Sequence, residues 1–407
     1  MKFWMISFAT LSLMAVSAQA QPAWDFNQVM QTALSSHPAV LGKLSSAAAA
    51  KAEQTGAEWQ RYPTPSIEAA RQDNGGTSTL LRIQQPLWTG GRITAGIEAA
   101  GRRFDAAEAA VVEARQDIGL KVIAAFTEAQ RQQARQSAAV SGVKEHEKLF
   151  RLIDRRVQRE VSPSVDRGLA QSRLFQAANE LSAATQARAN ALTQLTQLTG
   201  KTVSDVAGEM RDIGSPENRE VALERAISHS PTLRRLAFEE EAAGEDIASK
   251  RSAYMPQLAV RLERSSGGVA GLNDTRALLV LEAQPGAGLS AMSGVDAAIA
   301  RREAVRQARE TALRDLRERV AVDWNELVAA RLRLDNARQA RAMSAEVFDS
   351  YTRQYTTGRK TWIDVLNAVR EATQAELTVA DMAAQVAAAG LRLRLLTGAL
   401  SGPEGGR

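Results

Sequence analysis

No cysteine occurs among the 407 residues, and that absence removes several functions at once. Without thiols there is no disulfide, no thiolate metal site, no catalytic cysteine and no lipid joined through an N-terminal cysteine. Histidine is almost as scarce. His37, His146 and His229 lie far apart, and none has a second histidine or a carboxylate at ligand spacing on one helix face. His146-Glu147 lacks the second histidine of a zinc-protease helix. Gly200-Lys201-Thr202 looks like the end of a phosphate-binding loop, but Leu195 stands where the first glycine belongs. No enzyme and no cofactor is expected.

Two further things are missing. Beyond the first residues no stretch approaches about 18 consecutive apolar residues, so no persistent membrane helix is expected. Nor does either sign of charge form blocks: 51 basic and 46 acidic residues are interspersed, for a net charge of +5. Interspersed charge reads as solvated helix faces, and no nucleic-acid partner is expected.

What is present begins with an export signal. Lys2 is a thin positive start, Phe3 to Val16 is mostly apolar, and Ala18-Gln19-Ala20 is a small-x-small cleavage site. Cleavage after residue 20 would leave Gln21 first and, with Lys2 gone, 50 basic residues against 46.

The chain then repeats itself. Pro38, Tyr62-Pro63-Thr64-Pro65 and Gln85-Pro86 in the first half are answered by Pro231, Tyr254-Met255-Pro256 and Gln284-Pro285 in the second. Leu198-Thr199-Gly200 is answered by Leu396-Thr397-Gly398, and the Ser162 to Asp166 stretch by Thr361 to Asp364. Such self-similarity sets the fold before any local motif does. It divides the chain into a signal peptide at 1–20, repeats at 21–210 and 211–400, and a tail at 401–407.

Each repeat holds a long helical run, from about Gly91 to Leu198 and from about Gly288 to Leu396, rich in Ala, Arg, Glu, Gln and Leu. Phe104, Ala107, Val111, Ala114, Ile118, Val122 and Phe126 recur at three- and four-residue steps, as do Leu313, Leu316, Val320, Trp324 and Leu327. That is the stripe of helices packed as coiled coils. One break interrupts each run, at Val161-Ser162-Pro163-Ser164 and at Thr356-Thr357-Gly358-Arg359-Lys360, and reads as a turn between antiparallel helices. The first arm, about 70 residues at about 1.5 Å each, would span about 100 Å. A globule has little use for such a rod.

Between the helices two hairpins are expected, at about 66–85 and about 256–284. Leu258, Val260 and Leu262 alternate with Ala259, Arg261 and Glu263, and Leu81 and Ile83 with Arg82 and Gln84. Gln85-Pro86 is expected to close the second strand, with tips at Asp73 to Gly76 and Ser265 to Asp274. Strands of about 9–11 residues suit an outer membrane, and Trp59, Tyr62, Trp88 and Tyr254 flank them where interfacial aromatics would lie. Four strands leave two open edges, which lipid does not tolerate. Three copies would supply twelve strands and close a barrel with cyclic symmetry.

The ordered set Pro38 in SSHPAV, YPTPSIEA, QPLWTGGRITAGIEAA, their second-half echoes and YTTGRKTWIDVLNA resembles the TolC family of outer-membrane export channels over nearly the whole mature length. The resemblance implies a mostly α protein with a small β part: a homotrimer in which a long coiled-coil α-barrel continues a 12-stranded β-barrel of four strands per protomer. It implies a passive duct in the outer membrane, in contact with its lipid and extending into the periplasm. The partners would be a periplasmic adaptor and an inner-membrane ABC transporter or proton-driven pump. It further implies a periplasmic gate at Asp166, Tyr355 and Lys360, and a pore ring at Asp364 and Asn367, where an acid would be usual at Asn367. Adaptor-docking turns fall at Val161, Ser162, Pro163 and Ser164 and at Thr357, Gly358 and Arg359. The first turn departs from the Val-Gly-Leu-like tip of efflux members. With QPGAGLSA at Gln284 to Ala291, it looks more like members serving type I protein secretion than multidrug efflux. A periplasmic adaptor or structural coiled-coil protein is the reading from another class; one long hairpin and a lipid anchor would mark it.

Overall fold

The computed structural model describes residues 23–71, 77–208, 214, 218–267, 274–283 and 290–400. The signal segment, the tip at 72–76, most of QPGAGLSA and the tail at 401–407 lie outside the described residues. In chain order the elements are α1 (Phe26–Ser36), α2 (Pro38–Trp59), β1 (Thr64–Arg71), β2 (Thr77–Trp88), α3 (Arg92–Gln158) and α4 (Ser164–Thr199). Then follow α5 (Arg219–His229), α6 (Pro231–Arg251), β3 (Gln257–Gly267), β4 (Asp274–Glu282), α7 (Ala291–Thr356) and α8 (Trp362–Leu396).

The duplication is visible in how the helices start and stop. Pro38 and Pro231 each occupy the first turn of their helix, where a missing N–H costs nothing. The preceding side chains cap: His37 accepts from the Ala39 N–H at 3.1 Å, and Ser230 from the Leu233 N–H at 3.3 Å. Gly200 and Gly398 follow the ends of α4 and α8 with φ of 67° and 76°, the left-handed conformation that glycine adopts without strain. Short helices α1 and α5 precede the paired landmarks and were not legible from apolar spacing. Their starts are capped: Asp25 and Gln28 form a reciprocal capping box, and Asn218 accepts from the Val221 N–H at 2.8 Å.

Helices α3 and α7, 67 and 66 residues long, are the rods. On the sheet side α3 packs between α2 and α6, and α6 packs on α7; on the far side α3 packs between α4 and α8, and α8 packs on α7. Each repeat has its own core. In the first, Val29, Val40, Ile118, Val122, Phe126 and Leu195 interlock; in the second, Ala222, Leu316, Val320, Leu327 and Leu393 do the same. The expected stripe on α3 is buried at Val111, Ile118, Val122 and Phe126 and only half-buried at Phe104, Ala107 and Ala114.

All four strands form one antiparallel sheet in the order β1-β2-β3-β4, so β2 and β3 join the two repeats. Two boundaries differ from expectation. Strand β2 runs through Gln85-Pro86 to Trp88, because Pro86 faces Ala259 beside a register shift and a missing N–H is tolerated at a bulge. Strand β3 runs through Ser265 and Ser266 to Gly267, paired with Leu80, Thr79 and Ser78, so cross-strand hydrogen bonding overrides the turn propensity of those serines. Among the described residues no helix is long and apolar enough to cross a membrane.

Candidate pore wall and periplasmic mouth

Register places the strand side chains on two unlike faces. On one, the cross-strand rows read Ile67–Leu81–Arg264–Thr275, Pro65–Ile83–Leu262–Ala277 and Gln85–Val260–Leu279. Ile67, Leu279 and Leu281 are 73%, 69% and 69% exposed, a large apolar surface with nothing among the described residues to cover it. On the other face the rows read Ser66–Arg82–Glu263–Arg276, Thr64–Gln84–Arg261–Leu278 and Glu68–Leu80–Ser265–Asp274. Apolar outside and polar inside is the alternation of a membrane barrel wall. Trp59, Tyr62, Trp88 and Tyr254 are all exposed, and all stand at the end where the strands meet the helices. They therefore form one belt, with Trp59 and Tyr62 tilted together at 5.3 Å between ring centroids.

The candidate mouth, formed by the two helix turns, lies at the opposite end of the 67-residue α3, about 100 Å from the sheet. There the two helix turns use one backbone device. The Val161 N–H reaches back to the Arg156 carbonyl at 2.8 Å, and the Arg359 N–H to the Gln354 carbonyl at 2.9 Å. The residue needing positive φ is Gly358 (77°) in the second turn but Glu160 (60°) in the first. Helix starts then diverge. Thr361 and Asp364 close a capping box, the carboxylate accepting from the Thr361 N–H at 3.0 Å and from its hydroxyl at 2.8 Å. Those two bonds, with Lys360 nearby, hold the Asp364 carboxyl below its ordinary range. Pro163 occupies the matching place before α4 and offers no side-chain cap.

Asp166, the counterpart of Asp364, is half-buried and has no hydrogen bond or ion pair from its carboxylate among the described residues. Tyr355 is buried among Leu149, Ile153, Ala170, Trp362 and Val365, with its ring 5.6 Å from that of Trp362. The Arg156 guanidinium lies 4.9 Å over Tyr355, and its Nε donates to Ser162 Oγ at 3.3 Å, so one arginine ties the first turn to the second hairpin. Lys360 Nζ lies 4.1 Å over the Tyr351 ring. Within one chain, then, Tyr355 and Lys360 have intrachain partners and Asp166 does not meet them. Val161, Pro163, Ser164, Thr357, Gly358 and Arg359 are exposed at the tip, with Ser162 half-buried. Asn367 is exposed beside a cleft of about 140 Å³ between α3, α4 and α8, which His146, Arg173 and Arg370 also line. Burial first, and Arg173 second, lower the His146 pKa.

Sequence reasoning missed Arg156, Trp362 and the Arg82–Glu263–Arg276 row. Alternation already put Arg82 and Glu263 on the polar side of their strands; only pairing shows that they meet.

A two-faced sheet on rods of this length is a segment of a channel wall, the class of protein that passes solutes across an outer membrane and the space beneath it. The chain belongs to the outer membrane efflux protein family, whose sequence profile matches residues 29–201 and 222–399. It is an outer-membrane efflux channel protein, in a family of ducts rather than enzymes. Solved structures share the fold. A membrane protein from Pseudomonas aeruginosa superposes with a TM-score of 0.80 at 19% identity, over 91% of this chain and 90% of that one. The outer membrane protein VceC from Vibrio cholerae gives 0.80 at 16%, over 92% and 96%. The open state of the MtrE outer membrane channel from Neisseria gonorrhoeae gives 0.78 at 17%, over 92% and 88%. Curated protein sequences gave no match.

Proposed function

We propose that three copies of this chain close into one duct and that the duct serves type I protein secretion, docked on a periplasmic adaptor and an energised inner-membrane transporter. The observation that carries the trimer is the sheet: an apolar face, a polar face, and unpaired edges at β1 and β4. Closure by like copies satisfies those edges in lipid. The helical edges support the same assembly, since α7 exposes Val322, Leu332, Met343 and Val347, while α4 exposes Val165 and Phe175. Conduction through such a duct is passive, so energy comes from the transporter.

In the trimer Asp166 of one chain meets the Lys360 region of its neighbour, and charge-assisted contacts there favour a closed mouth. An adaptor that binds the open form better shifts that balance. Asp364, engaged in its cap, adds a fixed negative ring, which Asn367 weakens. The secretion reading rests on the tip Glu160-Val161-Ser162-Pro163-Ser164; small-molecule efflux, the sense of the family's name, is the second reading. Photo-crosslinking in cells from Ser164 tests both. Capture of an adaptor paired with an ABC transporter, with a polypeptide as cargo, supports secretion. An adaptor paired with a proton-driven pump replaces it with efflux, and release of the protein with soluble periplasmic contents removes the channel.

A further inference from the structure

The polar face of the sheet carries a cluster that passive conduction does not require. Glu263 is 6% exposed; its Oε1 accepts from Arg82 Nε at 3.0 Å and its Oε2 from Arg276 Nε and Nη2 at 3.2 and 3.0 Å. Arg261 stands on the same face, giving Nε and Nη2 to Gln84 Oε1 at 3.1 and 3.0 Å, with Nη1 3.9 Å from Glu263 Oε1. Two arginines satisfy the carboxylate and the third waits beside it. One ion pair across each strand seam would suffice to join β2, β3 and β4; three guanidinium groups around one carboxylate exceed that need. Each guanidinium presents five N–H donors in a planar fork. Among the described residues, Nη1 and Nη2 of Arg82 and Nη1 of Arg276 have no hydrogen-bond partner.

We propose that Arg82, Arg261 and Arg276 form an anion-binding girdle inside the barrel, one that takes multivalent oxyanions. The inference rests on the channel reading above, since three chains are needed to bring the clusters around one lumen. Two net positive charges remain per chain after Glu263 is counted. A ring of such charge in a low-dielectric wall concentrates anions, and the guanidinium fork binds phosphate, sulfate and carboxylate oxygens in pairs. The row nearer the hairpin tips carries Glu68 and Asp274 on the same face. Two residues along a strand are about 6–7 Å, close to the screening length of about 8 Å in physiological salt. At that spacing the acidic row is felt at the girdle, and it lowers affinity on the outer side, where an anion must leave.

The test uses the purified full-length trimer in planar bilayers, with myo-inositol hexakisphosphate added on the barrel side. Block that weakens with salt is expected. Arg276→Gln changes the most exposed of the three and should raise the half-blocking concentration about tenfold, the loss of three partly exposed charge contacts. Glu68→Gln with Asp274→Asn should lower it. Arg264→Gln removes the same charge from the opposite face of β3, where Arg264 is paired with Leu81, and should keep the block, which separates the girdle from a general loss of positive charge. Conducting channels that the hexakisphosphate does not block, or a block indifferent to Arg276→Gln, overturn the girdle alone. No trimer and no conductance would remove the channel reading and the girdle with it.

Discussion

At the residue scale the two turns at the mouth are a controlled comparison written into one chain. Gly358 and Glu160 hold the same left-handed place after α7 and α3. A side chain there costs about 1–2 kcal/mol against the following carbonyl. Gly358→Ala should therefore destabilise by about 1 kcal/mol, and Glu160→Gly should stabilise by less, because glycine also loosens the unfolded chain. Thermal unfolding followed by helical circular dichroism reads both; equal and opposite signs reversed would refute the assignment. Asp364 gives a pH prediction. Its folded pKa is depressed, first by the Thr361 hydroxyl and then by the Thr361 N–H. The carboxylate thus favours the folded state above its ordinary value near pH 4, and this is lost as pH falls through the lower folded value. The melting difference between wild type and Asp364→Asn should be present at pH 6 and vanish in acid. A difference that persists in strong acid would mean the cap does not titrate.

At the element scale, each repeat has its own core, while a third cluster belongs to both. Leu149, Ile153 and Ala170 come from the first helical hairpin, and Tyr355, Trp362, Val365 and Val369 from the second. Trp362, 4% exposed, is the largest side chain joining them. Trp362→Ala should cost about 3–5 kcal/mol and loosen the far ends of the rods before the sheet. Hydrogen exchange would show this as protection lost at 149–170 and 348–369 while the strands keep theirs. Uniform loss along α3 would mean the hairpins are not separately held. The arms were readable from composition and stripe. The union of their tips was not, because Arg156 carries no mark of its own and meets Ser162 and Tyr355 only when both turns fold back.

At the scale of the whole molecule the proposed duct depends on the two faces of the sheet and on the helix turns at its far end. Leu262→Arg puts a charge on the apolar face, at a cost of about 2–4 kcal/mol per chain near mid-membrane. Leu80→Arg puts the same charge on the polar face, one row from Glu263 and opposite Glu68. Trimer that resists dissociation in detergent should be lost in the first and kept in the second; the reverse would exchange lipid for lumen. Replacing Asp166 and Tyr355 together with alanine should raise single-channel conductance if the proposed gate holds, since one is a carboxylate with no partner in its own chain among the described residues and the other the centre of the tip core. Unchanged conductance would take both out of the gate.

The duplication, the helical rods and the two-faced alternation of the strands are legible in the sequence alone, because these are periodic and each period depends on neighbours a few residues away. Pro38 and Pro231, Gly200 and Gly398, and the Leu-Val-Leu run of β3 are signals of that local kind. Only the tertiary structure decided which charges meet. Arg82 and Glu263 are 181 residues apart, and Arg103 and Asp246 are 143 apart. Strand register and helix packing set those distances, and a difference of one residue in register would turn Arg82 from the polar face to the apolar one. The use of Asp364 as a cap, while Asp166 has no carboxylate partner among the described residues, is instead a local matter: a threonine precedes one helix and a proline the other, and only the threonine has a hydroxyl to share.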